Sequence, residues 1–94
     1  MSGGHFNYTQ YQIGYIVDEI EQIIRKSQEA NAEDWLKFQP YTIEEFCTAL
    51  KLLRRAQVYA QRIDWLVSGD DGEESFHQRL AEDLREVELL ENNT

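Results

Sequence analysis

Apolar residues recur at intervals of three and four along three separate stretches of this chain, and a proline or glycines separate the stretches. Because that period matches the turn of an α-helix, each stretch predicts an amphipathic helix. The predicted helices cover about 9–29, 42–67 and 72–91. At 94 residues the chain has the size of one domain. The sequence therefore predicts an all-α fold over 1–94, a three-helix bundle with a long central second helix and a flexible leader over 1–7.

The second predicted helix contains a seven-residue rhythm that we name the heptad seam. Its members are Phe46, Ala49, Leu53, Ala56, Ala60, Ile63 and Val67. Such a rhythm is typical of a helix that packs against other helices, and its three alanines allow close approach. We expect the first and third helices to pack on either side of it. Three amphipathic helices make a thin core, so the sequence also predicts that leftover apolar surface supports a homodimer.

Sequence signals for helix ends set the predicted boundaries. Thr42 followed by Glu45 is typical of a capping box at the start of the second helix, and Gly69 is typical of a C-cap at its end. Pro40 prevents a helix from running through the preceding connection. That connection contains Trp35, Leu36 and Phe38. We therefore expect it to fold back onto the core.

Acidic residues outnumber basic residues by eighteen to nine, which gives a formal charge of −9. The charge is uneven, at −4 over 1–34, +2 over 35–67 and −7 over 68–94. Direct binding to nucleic acid or to an anionic membrane needs a positive surface, so we expect neither. An acidic surface is predicted around the turn after the second helix, at Asp70, Asp71, Glu73 and Glu74.

Cysteine and histidine, the residue types most often used as nucleophiles, general bases or metal ligands, are few in this sequence. Cys47 is the single cysteine, so the sequence predicts no disulfide within the chain and no cysteine-based zinc site. His5 and His77 stand apart from any residue at triad or metal-ligand spacing. The N-terminus has no basic region followed by an apolar stretch, so no signal peptide is expected. We expect a cytoplasmic protein with no catalytic residues, no metal and no cofactor.

Aromatic residues are concentrated near the N-terminus, at His5, Phe6, Tyr8, Tyr11 and Tyr15. The three tyrosines are three and four residues apart, so they share one face of a helix. The simplest interpretation is that they form the rim of the core. Exposed tyrosines are also good anchors for a protein partner, so this cluster is the predicted partner-binding surface.

The residues also allow two alternative functions. In the first, the tyrosines stack on a nucleotide or another small ligand while Arg54, Arg55 and Arg62 contact its phosphate. In the second, Asp18 with Glu21 and Asp83 with Glu86 resemble the carboxylate pairs of all-helical nucleotide pyrophosphohydrolases, which hold magnesium. Arg62 also lies close in sequence to Asp64, Asp70 and Asp71, its expected ion-pair partners, and to Trp65 as a cation–π partner.

The two ends of the sequence resemble a group of small phage and prophage proteins. The resemblance rests on the opening Met-Ser-Gly-Gly-His-Phe-Asn-Tyr, on Ile-Val-Asp-Glu-Ile-Glu and on Arg-Ile-Asp-Trp-Leu-Val-Ser-Gly-Asp-Asp-Gly-Glu-Glu-Ser-Phe. It covers the two ends and the second predicted helix but not residues 30–41. In this sequence the shared residues are Gly3, Gly4, Phe6, Tyr8, Asp64, Trp65, Ser68, Gly69 and Asp70. The resemblance implies a phage or prophage origin and expression in the cytoplasm of a bacterial host.

Small size, acidity and this resemblance favour one function over the alternatives. We expect an interaction protein without catalytic activity, which binds and modulates a host or viral protein. A concrete version is an inhibitor of a bacterial defence complex that mimics the charge of nucleic acid.

Overall fold

A computed structural model of the chain describes residue 6 and residues 8–92. Helix α1 covers Tyr11–Ser27, a short 3₁₀ turn covers Asp34–Leu36, helix α2 covers Pro40–Val67 and helix α3 covers Glu73–Asn92. No strand occurs among these residues. The prediction of an all-α fold with three helices and a long second helix is confirmed. Within the described residues, no helix combines the length and the apolar character needed to cross a membrane.

The start of α2 differs from the prediction. The helix begins at Pro40, with Gln39 as its N-cap in an extended conformation, so Thr42 already lies in the first turn. The predicted capping box of Thr42 and Glu45 is therefore wrong. Proline suits the first position of a helix because the N–H that it lacks would have no partner there. The preceding helix α1 is shorter than predicted, since it begins at Tyr11 and ends at Ser27.

The end of α2 is confirmed at Gly69. This glycine has φ +85°, its N–H donates to the carbonyl of Leu66 at 3.2 Å, and the N–H of Asp70 donates to the carbonyl of Trp65 at 2.9 Å. These two bonds form a Schellman motif, which satisfies the last carbonyls of the helix. The turn then leads into α3, where the hydroxyl of Ser75 accepts the N–H of Gly72 at 3.3 Å.

Helix α2 is the centre of the molecule. Helices α1 and α3 both pack against it, while the backbones of α1 and α3 do not approach each other in the described part of the chain. Arg54 of α2 contacts Glu21 of α1, and Arg62 of α2 contacts Asp83 of α3. The molecule is thin, with extents of 50 × 27 × 16 Å. This arrangement leaves a groove between α1 and α3 and part of α2 uncovered.

The apolar core is small. Among the described residues, the buried apolar side chains are Val17, Leu36, Leu50 and Val87. Leu36 belongs to the 3₁₀ turn, and Phe38 meets Phe46 edge-on with their ring centroids 5.2 Å apart. The prediction that the connection folds back is therefore confirmed at these two positions. Every member of the heptad seam, by contrast, is half-buried or exposed.

Candidate functional site

Asp64 is a fully buried carboxylate on α2. Its Oδ1 accepts the N–H of Phe6 at 2.9 Å, and its Oδ2 accepts the Nε2 amide of Gln10 at 3.2 Å. The same Gln10 amide donates to Oε1 of Gln61 at 3.3 Å. Burying a charge is costly unless hydrogen bonds replace water, so these contacts account for a carboxylate in this position. The bonds tie the segment before α1 to the C-terminal part of α2.

The anchored segment forms a tight turn around Tyr8. The carbonyl of Phe6 accepts both the N–H of Thr9 at 3.0 Å and its hydroxyl at 2.6 Å. Tyr8 itself has φ +61°, a left-handed conformation that is uncommon for residues other than glycine. Such a conformation persists only where the surrounding structure fixes it. Here the bonds of Phe6 and Gln10 to Asp64 fix the chain on both sides of Tyr8.

The turn presents tyrosines to solvent. Tyr8, Tyr11 and Tyr15 are 55%, 42% and 70% exposed, and we name them the tyrosine surface. The rings of Tyr8 and Tyr11 stack, with their centroids 6.2 Å apart and an interplanar angle of 17°. Tyr15 lies one helical turn further along α1. Of the predicted partner-binding residues, these three are exposed, Phe6 is half-buried and His5 lies outside the described residues.

Two stretches that the sequence analysis singled out, the opening of the chain and the Asp-Trp segment of α2, meet at this junction. Phe6 from one end of the sequence and Asp64 from the other are joined by a hydrogen bond. Gly69 ends α2, and Gly3 and Gly4 lie outside the described residues. Sequence reasoning did not predict the contact between Phe6 and Asp64. One sequence signal for a buried Asp64 was available. Asp64 follows Leu50 and Gln57 at intervals of seven residues, so these three residues lie on the same face of α2.

Arg62 joins α2 to α3 beside this junction. Its Nε donates to Oδ2 of Asp83 at 2.7 Å, and its guanidinium lies 4.7 Å from the centroid of the Trp65 ring. Its Nη1 lies 3.7 Å from Oδ2 of Asp71, whose other oxygen lies 3.7 Å from Nη1 of Arg79. The cation–π contact with Trp65 and the pairing with Asp71 match the sequence analysis. The short bond to Asp83 was not predicted.

The predicted acidic surface needs one correction. The side chain of Asp71 is only 5% exposed, because it faces the guanidinium groups of Arg62 and Arg79. It is therefore not part of an exposed surface. Asp70, Glu73 and Glu74 are exposed.

Arg54 and Arg55, the other two arginines that were predicted to contact a phosphate group, also bind carboxylates. Arg54 donates to Glu21 at 2.9 Å. Arg55 forms two bonds to Glu91, at 2.6 and 3.2 Å. The hydrogen bond to Glu91 raises the pKa of the Arg55 guanidinium, partial desolvation lowers it, and the nearby negative charge of the same carboxylate raises it further. A phosphate group would have to compete with these carboxylates for either arginine.

The groove between α1 and α3 contains two open cavities along α2. One, of about 310 Å³, lies near the tyrosine surface, and its lining residues are Tyr11, Gln57, Val58, Gln61, Trp65 and Asp83. The other, of about 350 Å³, lies towards the opposite end of the groove and includes Cys47 and Arg54. The first of these combines two aromatic residues with amide groups, a lining that suits a small polar ligand.

The two candidate carboxylate pairs lie on different helices. Asp18 and Glu21 belong to α1, whereas Asp83 and Glu86 belong to α3. Glu21 and Asp83 are each bound to an arginine of α2. No group of three or more potential metal ligands occurs in the part of the chain that the structure describes.

Comparisons with known proteins gave no match to a protein-family model, to a curated protein or to a solved structure. The described residues form an open arrangement of three helices, in which a buried carboxylate holds the segment that bears the tyrosine surface.

Proposed function

We propose that this chain is a small interaction protein without catalytic activity, which binds and modulates a host or phage protein through the tyrosine surface. The observation that carries the proposal is the pair of hydrogen bonds from Phe6 and Gln10 to buried Asp64. These bonds hold exposed aromatic rings in place before any partner arrives. A surface that is already ordered loses less conformational entropy on binding, so more of its contact energy appears as affinity.

Tyrosine suits this role because it offers a large contact area with few rotatable bonds and a hydroxyl for hydrogen bonding. At 70% exposure, most of the Tyr15 side chain is accessible to a partner. The anchor also explains why a strained backbone at Tyr8 is retained. The proposed phage origin and cytoplasmic location follow from the sequence resemblance.

The charge of the chain supports a partner with a positive surface. A net charge of −9 attracts such a partner over distance and raises the rate of association. A bacterial defence complex that binds nucleic acid has a surface of this kind. In the concrete version of the proposal, this protein occupies that surface in place of nucleic acid.

The test is affinity capture from phage-infected bacterial cells, followed by calorimetry with the purified partner. We expect Tyr15→Ala to weaken binding by about 30-fold, the effect of losing one interface hot spot. Tyr41→Ala is the matched control, because Tyr41 is also 70% exposed but lies at the start of α2. We expect it to change the affinity less than about twofold.

Two outcomes would remove the proposal. One is capture of chaperones alone by the wild-type protein. The other is equal affinity of the wild-type protein and the Tyr15→Ala variant, since binding would then use another surface. If the partner is bound through mimicry of nucleic acid, added salt weakens the complex and nucleic acid competes with it.

A second candidate is the binding of a nucleotide or another small ligand in the groove. The cavity of about 310 Å³ beside Tyr11 and Trp65 favours it. A ligand that binds the folded state raises the melting temperature. A shift of less than about 1 °C across nucleotides at millimolar concentration counts against this candidate.

Magnesium-dependent hydrolysis of nucleoside triphosphates, lost in Asp83→Ala, would instead support the pyrophosphohydrolase alternative.

A further inference from the structure

The cavity of about 310 Å³ beside the tyrosine surface is lined by side chains from all three helices. Tyr11 belongs to α1, Trp65 to α2 and Asp83 to α3. The other lining residues are two glutamines and a valine of α2, namely Gln57, Gln61 and Val58. A volume at the lower end of the range for small-molecule sites suits a compact ligand.

The amide of Gln61 brings an unsatisfied donor to this lining. Its Nε2 is buried and has no hydrogen-bond partner in the described part of the chain. Its Oε1 accepts the Nε2 amide of Gln10, which also donates to Asp64, so the amide cannot turn over without placing two N–H groups face to face. A buried N–H without an acceptor costs free energy. A ligand in the cavity that has an acceptor can supply the missing partner.

Asp83 gives the cavity an acceptor. Among the lining residues it carries the one formal charge, and its side chain is 32% exposed. Its Oδ2 accepts Nε of Arg62 at 2.7 Å, but an ionised carboxylate can accept several hydrogen bonds. A single negative charge disfavours a phosphate inside the cavity and favours an amino group, whose bond to a carboxylate is charge-assisted.

The two aromatic residues offer flat contact area to a planar ring. In sites that bind a single nucleobase, aromatic side chains stack on the base and polar groups bind its edge. Glutamine pairs with the amino group and a ring nitrogen of adenine, and carboxylates accept from the amino groups of bases. Tyr11 and Trp65, with the donor of Gln61 and the acceptor of Asp83, are therefore the types of group that bind adenine.

We propose that this cavity binds the adenine ring of a nucleoside. Asp83 accepts the exocyclic amino group, and Nε2 of Gln61 donates to a ring nitrogen. The proposal rests on the second candidate function, the binding of a small ligand in the groove, and it specifies the base and the side chains that bind it. Binding depends on the base and not on a phosphate, because the lining residues include no arginine or lysine.

The test is a fluorescence titration of the full chain in a Trp35→Phe background, in which Trp65 is the one remaining tryptophan. A purine that stacks on an indole quenches its emission. We expect adenosine to quench saturably, with a dissociation constant of about 100 µM. Inosine has a carbonyl oxygen in place of the amino group, so we expect it to bind at least about 10-fold more weakly. AMP is expected to bind no more tightly than adenosine.

Two variants of α2 locate the site. Val58→Phe places a larger side chain in the cavity, and we expect it to weaken adenosine binding by at least about 10-fold. Val67→Phe is the matched control, because Val67 is on the same helix, is 52% exposed and lies outside the lining. It is expected to change the affinity less than about twofold. Circular dichroism checks that both variants keep their helices.

Asp83→Asn tests how the base is recognised. The carboxamide retains an oxygen that can accept from Arg62, and it adds an N–H that can donate to the carbonyl oxygen of inosine. We therefore expect the preference for adenosine over inosine to fall by at least about fivefold. A purely structural role of Asp83 would weaken both nucleosides equally and leave their ratio unchanged.

Several results would overturn the proposal. They are the absence of quenching by adenosine up to about 2 mM, equal affinity for adenosine and inosine, AMP binding at least about 10-fold more tightly, and equal effects of Val58→Phe and Val67→Phe. If nucleosides fail but another small molecule raises the melting temperature, the second candidate function stands without this proposal. If no small molecule does so, both fall.

Discussion

At the scale of single residues, Asp64 determines how the N-terminal segment is placed. It is fully buried, and among the described residues its carboxylate accepts a backbone N–H and a neutral side-chain amide. Hydrogen bonds to a charged acceptor are stronger than those between neutral groups. A single carboxylate can therefore hold the turn at Tyr8 in its strained conformation.

We expect Asp64→Ala to lower the free energy of unfolding by about 3 kcal/mol, because it leaves buried donors on Phe6 and Gln10 without an acceptor. Urea unfolding measures the loss. The matched control is Asp34→Ala, since the side chain of Asp34 is 99% exposed in its pair with Lys37. That change costs less than about 0.5 kcal/mol. Equal effects of the two substitutions would show that the Asp64 contacts do not hold the segment.

At the scale of helices, periodicity predicted three elements because each stretch repeats its apolar residues over several turns. The start of α2 was predicted wrongly, since Pro40 and the polar pair of Thr42 and Glu45 both favour a helix start and local sequence does not rank them. The spacing of the tyrosines predicted that they lie close together, but it did not predict their exposure, since the rim of the core was the simpler interpretation. Their anchor could not be predicted, because Phe6 and Asp64 are 58 residues apart and no local pattern links them.

Helix α1 approaches α2 closely at Gly14. A Cβ atom added there would lie 2.7 Å from Nε2 of Gln57, the end of a flexible side chain. Alanine favours the helix by about 1 kcal/mol over glycine. Because the amide of Gln57 can swing aside, we expect Gly14→Ala to stabilise the protein by about 0.5 kcal/mol in thermal or urea unfolding.

A larger side chain at the same position separates the helices. We expect Gly14→Leu to destabilise the protein by about 2 kcal/mol, as overpacking does in other proteins. In the double variant Gly14→Ala with Gln57→Ala, the contact between the added Cβ and the Gln57 amide is absent. The change in stability caused by Gly14→Ala in that background therefore reports the helix preference of alanine alone. If Gly14→Ala alone were destabilising and the double variant were not, Gln57 would have to be held rigidly in place.

At the scale of the whole molecule, α2 is the one helix that contacts both of the others in the described structure. The buried residue Val17 belongs to α1, and Val87 belongs to α3. Each outer helix is therefore stabilised by its own contact with α2. Contacts of this kind allow one helix to open while the rest of the fold persists.

Native-state hydrogen exchange tests this independence. Val87→Ala, which removes two buried carbons at a cost of about 2 kcal/mol, is expected to speed exchange of α3 amides and leave those of α1 unchanged. Val17→Ala is the reciprocal variant and affects α1 alone. The amides of α2 exchange slowest in both variants. If either change speeds exchange across all three helices equally, the molecule opens as one cooperative unit.

The separation of α1 from α3 also bears on how such a sequence can evolve. Substitutions at sites that share no neighbour combine additively, so a change accepted on one outer helix does not restrict what the other can accept. Selection on the tyrosine-bearing helix can then follow a changing partner while α3 and the turn before it keep their own residues. In related chains, we expect the sequences of α1 and α3 to diverge at different rates and the sequence of α2 to be the most constrained.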